Sequence, residues 1–106
     1  MTIDKEKRSS HRRASFAEVT YVHQGAPCQG RLSDISGAGL FIDTINPLPE
    51  GSLLTFRFVL PGDNPEAPIT GEGTVAWLRP MEGMGIRFRR LAPVDEARIK
   101  AFLARQ

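Results

Sequence analysis

The chain is poor in the residues from which metal sites, cross-links and membrane spans are built. Cys28 is its only cysteine and His11 and His23 its only histidines, so neither a disulfide framework nor a Cys/His zinc site can be assembled. No structural metal and no cofactor are expected. No apolar run approaches the ~20 residues of a membrane helix, so membrane insertion is not expected either. The opening residues Met1-Thr2-Ile3-Asp4-Lys5-Glu6 are charged and lack the apolar stretch of a secretory signal, which makes the cytoplasm the expected location. At 106 residues the sequence is expected to form one domain without a separate catalytic or output module, and its effect is expected to pass through a partner.

Catalytic parts are missing as well. Ser36 has no base to activate it, because the histidines lie near the N-terminus and at the end of a strand. No carboxylate pair and no glycine-rich phosphate loop opens a helix, and no motif surrounds Cys28, which reads as a small core or strand residue. An enzyme is therefore not expected.

What is present is an uneven charge and a regular punctuation. Residues 1–13 hold Lys5, Lys7, Arg8, Arg12 and Arg13 against Asp4 and Glu6, whereas the remainder carries nine basic and ten acidic groups. The positive excess thus sits on one short segment, and the body is not a basic surface of the kind that binds DNA or RNA. Residues 1–15 show no apolar period and read as a flexible basic N-terminal arm; the domain is expected over 16–106.

From Phe16 onward, apolar and β-branched runs alternate with Gly, Pro, Asn and Asp, the pattern of a small antiparallel barrel. Strands are expected at Phe16 to His23, Cys28 to Ile35, Leu40 to Asp43, Leu53 to Leu60, Ile69 to Arg79 and Met84 to Phe88. Leu54, Phe56 and Phe58 should face the core, and Trp77 should pack inside. The turns Gln24-Gly25-Ala26-Pro27 and Ser36-Gly37-Ala38-Gly39 carry glycines suited to positive φ. A helix over 93–105 follows from Pro93 at its first position and Asp95 and Glu96 in its first turn, with Ile99, Phe102 and Leu103 on the face that covers the barrel.

Two short elements carry chemistry. In Arg8-Ser9-Ser10-His11-Arg12, each guanidinium offers a planar fork that fits a phosphate or the O6/N7 edge of guanine and can stack on a base. In Asp34-Ile35-Ser36-Gly37-Ala38-Gly39, Asp34 and Ser36 share a face of an extended segment, and Gly37 and Gly39 remove bulk beside them. The result is a lip of carboxylate, hydroxyl and bare backbone, which seats a polar ligand or forms an ordinary Asx-type turn.

These elements resemble the RxxxR and [D/N]xSxxG motifs of the PilZ family. Gly83-Met84-Gly85-Ile86-Arg87-Phe88 on the last strand completes a three-part match, in the family's order, over residues 7–90. One departure is Arg13-Ala14-Ser15, where the family's lead-in to the first strand is usually apolar or contains proline. The resemblance implies a mainly β fold, a small six-stranded antiparallel barrel of the split-barrel type with a C-terminal helix. It also implies a receptor or adaptor for the second messenger cyclic di-GMP. Carried over to this chain, Arg8 and Arg12 hold phosphates and guanines, and Asp34, Ser36 and Gly39 form the opposing wall; Lys7, Arg13 and Gly37 are secondary candidates. Whether one or two ligand molecules bind depends partly on the residue before the first arginine, here Lys7. Ligand binding would pin the arm and signal through a downstream protein, in motility, biofilm formation or another bacterial output. Two rivals stand beside this reading: a PilZ-like protein-interaction module that binds no nucleotide, and a small barrel for single-stranded nucleic acid. Monomer and homodimer are both open.

Overall fold

The computed structural model describes residues 17–105. The expected arm, with Lys7, Arg8, Arg12 and Arg13, lies outside them. Six strands and one helix follow in order: β1 Glu18–His23, β2 Ala26–Ile35, β3 Gly39–Asp43, β4 Leu53–Phe58, β5 Ile69–Arg79, β6 Gly83–Leu91 and α1 Pro93–Ala104. The strands close into a barrel in the order β1-β2-β3-β6-β5-β4, with every neighbouring pair antiparallel. The mainly β barrel with a C-terminal helix is as the sequence predicts.

Strand alternation builds the interior. In β4, Leu54, Phe56 and Phe58 point inward and are buried, while Leu53, Thr55 and Arg57 point out. Val19 and Tyr21 of β1, Leu32 of β2 and Leu40 and Ile42 of β3 complete that half of the core. The Tyr21 ring is fully buried, yet its hydroxyl lies 3.1 Å from Thr44 Oγ1 and 3.3 Å from the carbonyl of Asn46, tying the loop after β3 to the barrel. Burial pushes the Tyr21 phenol up, and the Thr44 hydrogen bond partly offsets it.

The first hairpin is tighter than its sequence implies. His23 pairs with Ala26, so the turn is only Gln24-Gly25, with φ of 53° and 80°. Two consecutive positive φ values define the I′ geometry whose twist suits a two-residue hairpin, and glycine meets the second without strain. By contrast, Gly37 and Gly39 do not take positive φ.

Helix α1 follows β6 at one end of the barrel and adds Ile99 and Phe102 to the core, with Leu103 packed beside them. Its buried face is narrow, and a polar clamp supplements it. Arg98 donates to Asp95 Oδ1 at 3.0 Å, to Asp63 Oδ2 at 2.8 Å and to the carbonyl of Ala67, fastening the helix to the β4–β5 loop. The Arg98 hydrogen bond, aided by the Asn64 amide, holds the Asp63 carboxyl below its ordinary range. Because all strand pairs are antiparallel, the start of β1, the β2–β3 turn and α1 share one end of the barrel. The β1–β2 and β5–β6 turns share the other.

Candidate functional site

On the outer wall, four residues of adjacent strands form one transverse row. Asp34 of β2 pairs with Phe41 of β3, Phe41 pairs with Gly85 of β6, and Gly85 pairs with Trp77 of β5. A β-bulge on β2, between Leu32 and Asp34, sets Asp34 in this row: Leu32 faces the core opposite Ile42, Ser33 is the extra residue, and Asp34 faces out.

A second bulge corrects an expectation. Along β5 the inward positions Ile69 and Val75 share the parity of Trp77, so unbroken alternation sends the indole into the core. The register instead shifts between Val75, which faces Ile86, and Trp77, which faces Gly85. Trp77 therefore turns outward and is 47% exposed. It lies flat across β6, because Gly85 has no side chain; a Cβ there would fall well inside contact with three indole carbons, Cδ2 at 2.5 Å among them. Phe41 flanks it, ring centroids 6.4 Å apart and planes inclined by 33°. One indole face rests on glycine and the other is turned to solvent.

Between the Asp34 lip and the indole runs a cleft of about 520 Å³, lined by Asp34, Ser36, Gly39, Trp77, Arg79 and Arg87 among others. Its two cations differ. Arg79 sits over the Phe41 ring, 5.0 Å from the centroid, and lies 3.6 Å from Glu82. Arg87, one row nearer α1, pairs with Gly39 and Thr74 and makes no ion pair among the described residues.

The structure gives the residues of the lip different local tasks. Asp34 is exposed, and its Oδ1 accepts the amide of Ile35 at 2.9 Å. The Ser36 hydroxyl accepts the amides of Ala38 (3.2 Å) and Gly39 (3.3 Å) and lies 3.3 Å from the Gly39 carbonyl, while the Ser36 amide donates to that carbonyl at 2.8 Å. Ser36 thus knits the turn with its own side chain. Gly39 is a close approach of backbone to backbone: a Cβ there would collide with the Ile86 carbonyl oxygen. Gly37 has open space around it. Asp34, Ser36 and Gly39 are thus brought together on one rim, with Gly37 at the turn tip.

A protein-family profile described as the PilZ domain matches residues 6–105, essentially the whole chain. The chain belongs to the PilZ domain family. A comparison with curated proteins finds no match. In this PilZ domain the DxSxxG segment forms one wall of a cleft whose other walls, Trp77, Arg79 and Arg87, lie outside both the RxxxR and the DxSxxG motifs. A signal for them exists in Gly83-Met84-Gly85-Ile86: Met84 and Ile86 face the core, so the glycines face out and leave a trough on the wall. Among the described residues no group of His, Cys, Asp and Glu converges as for a metal ion, and no helix is long and apolar enough to cross a membrane.

Proposed function

We propose that this PilZ domain is a cyclic di-GMP receptor and adaptor, without catalytic activity, that takes a guanine of the ligand between the Asp34–Ser36 rim and the open face of Trp77. The observation that supports this most is the outward indole lying flat on Gly85 in the row of Asp34. Stacking a base on an aromatic is worth ~1–3 kcal/mol. The other oxygen of the Asp34 carboxylate, without a hydrogen bond among the described residues, is an acceptor for the N–H groups of a guanine's Watson–Crick edge.

Arg8 and Arg12 hold the ligand's phosphates and guanines from the other side, with Lys7 and Arg13 beside them. Covalent reach permits this. The Ala17 carbonyl accepts the Leu32 amide at 2.8 Å, so the arm, residues 1–15, leads into β1 beside Leu32 of β2, two residues before Asp34. Arg12 precedes Ala17 by five residues, an extended reach of ~17 Å, against ~14 Å for the three interstrand spacings from β1 across β2 and β3 to β6, on which the indole rests. Pinning the arm across the cleft costs ordering entropy and creates a new surface, which a downstream protein in the cytoplasm reads.

Calorimetry with cyclic di-GMP tests the reading. Arg8→Ala and Asp34→Ala each remove a charge-assisted hydrogen bond worth ~1.5–3 kcal/mol, so each should weaken binding by about ten- to a hundred-fold or more. Unchanged affinity in both variants contradicts it. A second reading, a protein-interaction module without nucleotide, draws on the exposed Ile45 (83%) and Met81 (88%) at the far end of the barrel. It predicts no heat with cyclic di-GMP at all.

A further inference from the structure

Taking the cyclic di-GMP reading as its basis, we infer that Arg87 selects guanine by gripping the O6/N7 edge of the base seated on Trp77. The inference begins with which cation is available. The Arg79 guanidinium is engaged by the Phe41 ring and Glu82. Arg87 has neither kind of partner among the described residues; it lines the same cleft and is exposed.

Its backbone is pinned and its ladder neighbours are small. The next residue, Phe88, donates its amide to the Ala38 carbonyl at 2.9 Å, pinning β6 against the β2–β3 turn. The ladder partners of Arg87 are Gly39 on β3 and Thr74 on β5, and Gly39 cannot be replaced by a larger residue without meeting the Ile86 carbonyl. Among the described residues, neither ladder neighbour of Arg87 puts a bulky side chain between it and the cleft.

The direction of approach fits guanine. A base stacked on the indole lies parallel to the barrel wall, so its edges face the rims. Asp34 occupies the row of Trp77 itself, across the strands, whereas Arg87 lies one row along them, so the two side chains approach at about a right angle. Guanine carries its N–H donors on the Watson–Crick edge and two acceptors, O6 and N7, on the adjoining Hoogsteen edge. A carboxylate on the first edge and a guanidinium fork on the second match both. Adenine would set its N6 amino group against the fork and its bare N1 against the carboxylate.

The test is a double-mutant cycle by calorimetry on the full chain, using cyclic di-GMP and an analogue in which 7-deazaguanine removes the N7 acceptor. The wild-type chain should bind the analogue about ten-fold more weakly than cyclic di-GMP. Arg87→Ala should bind cyclic di-GMP about ten- to a hundred-fold more weakly than wild type and no longer distinguish the two ligands. Arg57→Ala, an exposed arginine on β4 outside the cleft, should match wild type with both. If Arg87→Ala binds like wild type, or weakens while keeping the wild-type preference as a purely phosphate contact would, the inference is overturned and the receptor reading stands. If the wild-type chain gives no heat with cyclic di-GMP, the receptor reading itself fails.

Discussion

Gly39→Ala should lower the thermal midpoint by roughly 10–25 °C, whereas Gly37→Ala, two residues away in the same motif, should leave it nearly unchanged. The difference lies in what a methyl group would meet. At Gly39 it would strike the Ile86 carbonyl oxygen and stand 3.0 Å from that carbonyl carbon and 3.2 Å from the Arg87 Cα. All three are backbone atoms, held by the β3–β6 ladder and by the Phe88-to-Ala38 hydrogen bond, so relief requires the strands to part. Overpacking and the loss of ladder hydrogen bonds place the cost at ~2–4 kcal/mol, and a domain of this size shifts by ~4–8 °C per kcal/mol. At Gly37 nothing lies within 4 Å and φ is not positive, so the effect should stay within ~0.5 kcal/mol. Thermal melts of the two variants decide the matter, and equal midpoints would mean that β3 and β6 are not in close contact at Gly39. A ligand-binding assay alone would miss this, because both variants alter the same rim.

Gly85→Ala should do the reverse: cost little stability and most of the ligand affinity. The added methyl would meet indole carbons of Trp77, which belong to a half-exposed side chain free to swing toward solvent. The fold then loses only packing of the indole on the barrel wall, on the order of 1 kcal/mol. The flat platform is lost with it, and with the platform the stacking of ~1–3 kcal/mol per base, so cyclic di-GMP should bind about ten-fold or more weakly. Trp77→Ala should show the same loss of binding. A Gly85→Ala protein that binds as tightly as wild type would show that the seated base does not depend on the orientation of the indole.

The parts of this fold that were legible in the sequence are those set by unbroken alternation and by turn chemistry. Leu54, Phe56 and Phe58 announce the inward face of β4, and Pro93 with Asp95 and Glu96 announces the start of α1. Strand edges were less legible. At Gln24-Gly25 the paired positive φ values let β2 begin at Ala26, two residues earlier than the glycine-proline cluster implies. Beyond Phe88, β6 continues through Arg89, Arg90 and Leu91, where a bulge opposite Glu72 and Gly73 leaves Arg89 unpaired and breaks the period.

In the candidate site, only one wall could be read in advance. Asp34, Ser36 and Gly39 are close in sequence, and local turn chemistry brings them together. The opposite wall comes from strands 40 to 50 residues further on and depends on a bulge: one extra residue between Val75 and Trp77 reverses the side of the sheet on which the indole lies. Nothing in the local sequence of β5 marks that bulge. The outward glycines of β6 leave room for the indole, but they gain this meaning only once β6 is known to lie between β3 and β5.

Trp77 is the only tryptophan in the chain, so its fluorescence reports directly on the proposed seat. Titrating the wild-type protein with cyclic di-GMP should produce a saturable change in indole emission that tracks the heat of binding. The change should require about ten- to a hundred-fold more ligand in Asp34→Ala. Heat of binding with an unaltered emission spectrum, or no heat at all, would contradict the account.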